Sequence, residues 1–334
     1  MITIISSLVV FLVVIFIHEL GHFFMAVKSG IKVNEFSVGM GPKILQKKKN
    51  DINYSLRAIP IGGYVSIEGE DGESSDPRSF ANAPAIKRLG VIIAGVIMNF
   101  ILGLLILIIL NTFASYRIVD VVPKSPADLA GIKPGDRIIS IMDKSVESSL
   151  DITEMIEKSD GNPINLEIEN QEGKKTISLE PERDSKGIYR IGITHGKSYN
   201  SSDASIKKGI INGFKDFKFY FSAILKGFGQ LITGKLSMKE VSGPVGVVKA
   251  IGNSFKAGLV TFLSFIALLS INLGIFNILP FPALDGGRAV LILFEMITGK
   301  KLPSEKEGIL NLIGFIILLG LIIVVTFKDI VQLF

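Results

Sequence analysis

Two histidines and a glutamate interrupt a long apolar run near the start of this chain. Ile2 to Ile17 carry no charge, His18-Glu19-Leu20-Gly21-His22 follows, and apolar residues resume from Phe23 to Val27. Ionisable groups at membrane depth are expensive and mark functional sites. His18 and His22 stand four apart, so a helix puts both on one face, as an H-E-x-x-H metal site requires. In soluble chains the same motif often arises from unrelated surface histidines. Here it lies in an apolar segment and uses two of the chain's three histidines.

The rest of the chain suits a membrane. Apolar residues make up 48% of 334, and mean hydropathy is positive. Four stretches, 2–27, 89–114, 258–279 and 309–327, approach the ~20 residues that cross a ~30 Å hydrocarbon core. The first could be read as a signal peptide, but it has no basic leading region and no small-residue cleavage site. There is no cysteine, which excludes disulfides, a thiol nucleophile and thiolate zinc sites. The net charge of +5 is spread over several loops and reads as membrane-surface charge. No nucleic-acid motif is present, and no nucleic-acid partner is expected.

Between the spans the chain changes character. Residues 31–67 alternate in places like strands, with Lys47 to Asp51 as a hairpin tip and Gly39, Gly41, Gly62 and Gly63 marking bends or close backbone approach. Residues 69–82 are acidic and polar, a solvated loop. Short strands and turn signals fill 116–197. Ile206, Ile210, Phe214, Phe217, Phe221, Ile224, Phe228 and Leu231 then recur at helical spacing among lysines. That stripe suits an amphipathic helix lying on a membrane, and equally one packed on the preceding domain. Lys and Arg flank the 28–88 and 280–308 loops, which places both on the cytoplasmic side and residues 116–257 outside.

A third metal ligand is available in the segment from Ser270 to Arg288. Pro280 and Pro282 stop a helix there, and Asp285 follows the break. Irregular backbone at membrane depth is tolerated only where it lines a protein cavity. The plainer reading makes Asp285 a cap for the helix that begins near Gly287. In the sharper one, His18, His22 and Asp285 hold one Zn²⁺ with water in the open fourth position, the catalytic rather than the structural pattern. Glu19 then takes the water's proton and returns it to the leaving amine. The sixteen uncharged residues Ile2–Ile17 ahead of His18 span roughly 24 Å at ~1.5 Å each. The metal thus lies within the bilayer, toward its cytoplasmic face.

Taken together, His18 to His22, Gly39-Met40-Gly41-Pro42, Ile59 to Val65, Ser242-Gly243-Pro244-Val245-Gly246 and the run from Asn277 to Gly287 resemble the bacterial site-2 proteases, RseP-like intramembrane zinc metalloproteases. The resemblance covers essentially the whole chain. It implies hydrolysis of peptide bonds in single-span membrane proteins, such as anti-sigma factors or remnant signal peptides, in the bacterial cytoplasmic membrane. His18, His22 and Asp285 match zinc ligands and Glu19 the catalytic base. Asn272 and Asn277 match asparagines linked to substrate handling, although helix–helix hydrogen bonding in lipid is the simpler role for such residues. Ile59 to Val65, with Gly62 and Gly63, matches a reentrant hairpin whose edge can pair with an extended substrate.

Residues 116–197 resemble a single circularly permuted PDZ domain, carried mainly by Ser125 to Ile141, with a groove strand near Ile191 to Thr194 that could receive a peptide or C-terminus. The fold expected is therefore a multi-pass α-helical membrane protein of about four transmembrane helices, with a membrane-associated β-hairpin region and one inserted PDZ-like α+β domain. Its parts are 1–27 (first helix), 28–88 (reentrant β region and loop), 89–115 (second helix) and 116–197 (PDZ-like). They continue as 198–257 (amphipathic helix and linker), 258–285 (third helix and interrupted segment), 286–308 (cytoplasmic helix or loop) and 309–334 (fourth helix and tail). Two rivals are weaker. A non-enzymatic PDZ adaptor would not need an intact motif, and a metal transporter would carry more histidines.

Overall fold

The computed structural model describes every residue except 1, 71, 73, 147–148, 171, 185–186, 200–203, 236–241 and 332–334. Parts of the expected 116–197 domain, of the 198–257 linker and of the tail thus lie outside the described residues. The chain forms two compact units, Met1–Ile106 with Phe217–Phe334, and Leu107–Asp216.

The first unit begins with α1 (Ile2–Lys28), whose apolar sequence forms a continuous 27-residue helix. A curled sheet follows, built from β1 (Val33–Lys49) and β2 (Ile52–Ile67). Asn50 and Asp51 join them with φ of 51° and 64°, the left-handed pair that a two-residue hairpin turn demands. The strands are long enough to fold back on themselves. Val38 sits beside both Gly63 and Leu56, and Glu35 beside both Ser66 and Asn53. Residues 63–67 therefore form one margin of the sheet.

Next comes α2 (Ala85–Thr112), which leads into the second unit. There β3 (Ala114–Val121), the short α3 (Pro126–Leu129), β4 (Arg137–Ile141), β5 (Lys144–Ser145), α4 (Ser149–Glu157), β6 (Ile164–Asn170), β7 (Gly173–Leu179), β8 (Glu182–Arg183), β9 (Tyr189–Arg190) and β10 (Ile193–Tyr199) succeed one another. The main sheet has the order β10-β3-β4-β6-β7, with β5 beside β4. Its core is largely branched aliphatic, including Ile118, Ile141, Ile152, Ile164, Leu166, Ile168 and Ile191, each at most 2% exposed. β10, the last strand in sequence, pairs with the first and forms an outer edge. His195 lies on it opposite Ile118, half-buried, and burial pushes its imidazole below the usual pKa.

The long α5 (Ile206–Ile232) returns the chain to the first unit. There Phe217 and Phe221 pack on Phe100 of α2. Phe228 lies against Phe276 of α7 (Leu259–Ile278). Phe219, on the opposite face of α5, is exposed, as is Phe214 nearer the start of the helix. Residues 244–256, which read as linker, instead form a helix, α6 (Pro244–Lys256). Proline at the first helical position is preorganised for a start there. Asp329 supplies the cap: Oδ1 accepts from the Gly243 N–H at 3.2 Å and Oδ2 from the Gly246 N–H at 2.7 Å. The chain ends with α8 (Asp285–Thr298) and α9 (Ser304–Val331).

Among the described residues, four helices, α1, α2, α7 and α9, are long and apolar enough to cross a membrane. Only 11% of the apolar window of α9 is buried within the protein, so most of its apolar surface needs lipid. Two cores hold the first unit together. One joins Val10 and Val14 of α1 to Ile251, Phe262 and Ile266. The other joins Ala26 and Val33 to Val91 and Ile92 of α2 and to Ala289 and Ile292 of α8. Two ion pairs pin α8: Arg288 Nη1 to Glu70 at 2.6 Å, and Arg88 Nη2 on α2 to Glu295 at 2.5 Å. The chain is thus a multi-pass α-helical membrane protein with a β-rich domain inserted between its second and third spans.

Candidate metal centre

The four-residue spacing of His18 and His22 places both rings on one buried face of α1. Bringing a carboxylate to them takes a sharp turn after α7. Ala283 sits at φ +70°, and its N–H donates to Asn311 Oδ1 at 3.2 Å. Gly286 and Gly287 pack on the carbonyls of Ile278, Leu279 and Phe281 so closely that a Cβ would collide. Only glycine permits that approach. Asp285, the first residue of α8, is thereby turned toward α1.

His18 Nε2 and His22 Nε2 are 3.1 Å apart, and Asp285 Oδ2 lies 3.2 and 3.5 Å from them. A tetrahedral zinc ion, with bonds of about 2.0–2.2 Å, holds its ligand atoms about 3.3–3.5 Å apart. Asp285 Oδ2 is buried and accepts no hydrogen bond among the described residues. Two imidazole nitrogens and one carboxylate oxygen form a donor set suited to a divalent ion, and three protein ligands leave a place open. The residues present therefore fit zinc.

Each ring has a neighbour behind it. His22 Nδ1 donates to the Val91 carbonyl at 2.8 Å. A carbonyl only accepts, so Nδ1 carries the proton and Nε2 keeps its lone pair. Behind His18, Asn99 Nδ2 lies 3.2 Å from Nδ1. Room for both rings comes from Gly95 of α2, where a Cβ would collide with His22 and lie 2.8 Å from His18 Cε1. Gly21 gives the matching clearance on α1, against the Ala94 carbonyl.

The other residues singled out by sequence fall in different settings. Glu19 Oε2 accepts from the Val65 main-chain N–H at 3.2 Å, which joins it to the margin of the sheet. Asn277 Nδ2 is 3.3 Å from His18 Nε2 and so belongs to the cluster. Asn272 is half-buried on α7, and no side-chain hydrogen bond is seen for it among the described residues. Gly62 and Gly63 are buried in packing: a Cβ on the first would meet Ile15 of α1, and one on the second the Ser37 carbonyl. Val91, Gly95 and Asn99 escaped the sequence reading. The available signal was an asparagine four residues after a glycine in the middle of a largely apolar span.

The profile of peptidase family M50 matches residues 6–321. A relative from Clostridium acetobutylicum that carries a zinc metalloprotease name is 40% identical over 332 residues, 98% of this chain and 97% of its own. Zinc metalloprotease RasP of Geobacillus kaustophilus is 30% identical over 416 residues, covering 99% of this chain and 98% of its own. Among solved structures, the PDZ domain of the SdrC-like protein from Listeria monocytogenes is similar over 24% of this chain and 86% of its own, at 22% identity and a TM-score of 0.23. By a match that runs from the first helix into the last, this chain belongs to peptidase family M50.

Proposed function

We propose that the chain is an intramembrane zinc endopeptidase that cuts single-span membrane proteins, with remnant signal peptides and anti-sigma factors as the fitting substrate classes. The observation that carries this is the convergence of His18 Nε2, His22 Nε2 and Asp285 Oδ2 within 3.1–3.5 Å of one another. His18, His22 and Asp285 hold one ion. Zinc, when bound, polarises a carbonyl and lowers the pKa of water toward ~7.

The chain's own groups do the rest. Glu19 takes the proton of the attacking water and returns it to the departing amine. A transmembrane helix hides its peptide bonds in its own hydrogen bonds, so the substrate has to unwind first. Residues 63–65, at the margin of the sheet with Gly62 letting the strand lie close to α1 and Gly63 letting it lie close to β1, offer main-chain groups to the extended segment. Asn277 and Asn272 offer side-chain amides to the carbonyls and N–H groups that unwinding frees. The basic loops at 28–88 and 280–308 put the metal site toward the cytoplasmic side. The domain at 116–197 is extracytoplasmic, with β10 as an edge open to a peptide or C-terminus.

The test is expression of wild type and Glu19→Gln in membranes with a tagged single-span substrate. Wild type yields the cut fragment and Glu19→Gln does not; equal cleavage by both removes Glu19 from its role. Labelling of a Lys174→Cys variant, clean because the chain has no cysteine, is expected from the outer face only.

A further inference from the structure

The two rings of the metal centre are not supported alike. His22 has a fixed acceptor, the Val91 carbonyl at 2.8 Å. Among the described residues, no carbonyl is seen at Nδ1 of His18. Its neighbour is the Asn99 side chain, fully buried, with Nδ2 at 3.2 Å. The other end of that amide, Oδ1, is buried and has no hydrogen-bond partner among the described residues. The turn of α2 carrying it is fastened, because Ser270 Oγ of α7 donates to the Asn99 main-chain carbonyl at 2.8 Å.

The two ends of an amide have opposite consequences for an imidazole. With the NH₂ end toward Nδ1, the ring accepts there and its proton sits on Nε2, the nitrogen that faces His22 and Asp285. A protonated nitrogen is not a ligand. With the oxygen end toward Nδ1, the ring donates there and Nε2 presents its lone pair. A half-turn of the amide about χ2 exchanges the two and gives the orphaned Oδ1 a donor.

We propose that Asn99 is the positioning residue for His18: its amide oxygen accepts the Nδ1–H and so fixes Nε2 as the ligating nitrogen. It does for His18 what the Val91 carbonyl does for His22. The side chain acts through the ring and does not itself touch the ion. This inference rests on the reading of His18 as a zinc ligand.

The experiment measures zinc retention by purified full-length protein in detergent against increasing chelator, for wild type, His18→Ala, Asn99→Leu and Asn99→Asp. Leu keeps the size of the side chain but offers no acceptor; Asp offers only accepting oxygens. Asn99→Leu is expected to hold zinc about 10–100-fold more weakly, the usual effect of losing an outer-shell partner, with its metal-free thermal unfolding unchanged. Asn99→Asp is expected to hold zinc at least as tightly as wild type, which a merely space-filling role for Asn99 would not produce. Wild-type retention by Asn99→Leu overturns the inference. So does a loss in Asn99→Asp equal to that in Asn99→Leu, because the donating end would then be the one that matters. If wild type holds no more zinc than His18→Ala, the ligand set fails and this inference fails with it. Loss of Asn99 effects alone leaves the ligand set standing.

Discussion

The main-chain N–H of Val65 donates to Glu19 Oε2 across 3.2 Å, joining the sheet margin to the motif on α1. Val65 is paired with Phe36 on its other side, so the group aimed at Glu19 is one that β1 does not use. A hydrogen bond to a charged group contributes about 1.5–3 kcal/mol, and each 1.36 kcal/mol is tenfold in rate. Val65→Pro deletes the N–H at an edge, where proline is tolerated. Turnover is expected to fall about tenfold or more with zinc content unchanged. Cleavage rates and metal analysis on the same preparation decide it; unaltered turnover shows that Glu19 needs no such hold.

Gly95→Ala puts a methyl where His22 already sits, 2.8 Å from His18 Cε1. Alanine favours a helix over glycine by about 1 kcal/mol, so a variant judged by helicity alone would look sound. The expected outcome is loss of most bound zinc and of cleavage, with helix content by circular dichroism retained. A fully loaded Gly95→Ala would mean that α1 and α2 separate without moving the rings.

Asp329 closes the start of α6 from the far end of the chain. Losing a helix cap costs about 0.5–2 kcal/mol. Asp329→Ala is expected to lower the midpoint of thermal unfolding and to open proteolytic sites near residues 243–246. At Gly243 a Cβ would lie 2.8 Å from Asp329 Oδ2, so Gly243→Ala should cause the same loosening. Identical digestion patterns for all three proteins count against the cap.

Glu35 on β1 gives a pH signature. Burial pushes its carboxyl up, but Arg57 at 2.8 Å, Ser55, Lys43 at 3.2 Å and Tyr64 outweigh that and hold it down to about 2. Arg57 also reaches Tyr64 and donates to the Gly41 carbonyl at 2.6 Å. A group whose folded pKa is depressed stabilises the fold above its unfolded value and loses that contribution as pH falls through the folded one. The hairpin should therefore be stable at pH 7 and weaken from about pH 4.5 down to about 2. In Glu35→Gln this acid dependence of hydrogen exchange over residues 33–57 is expected to be much reduced.

Much of the site is written locally in the chain. The His18–His22 spacing is a helix property and needs no tertiary knowledge, and Asp285 is marked out by the prolines at 280 and 282. The Asn50-Asp51 turn follows from the conformations those residues accept. What was not legible depends on packing between distant segments. Val91 enters through a carbonyl that every residue has, and Gly95 through a missing side chain. Asn99 matters only because α2 lies against α1 at that height. The start of α6 was hidden for the same reason, since its cap comes from residue 329.

Arg88, tied to Glu295 of α8, sits on the same helix as Gly95 and Asn99. The rod that backs the two rings is thereby coupled to the rod that carries the acid. His22 and His18 rest on Val91 and Asn99 of the first rod and Asp285 begins the second, so one ion pair braces both sides of the donor cluster.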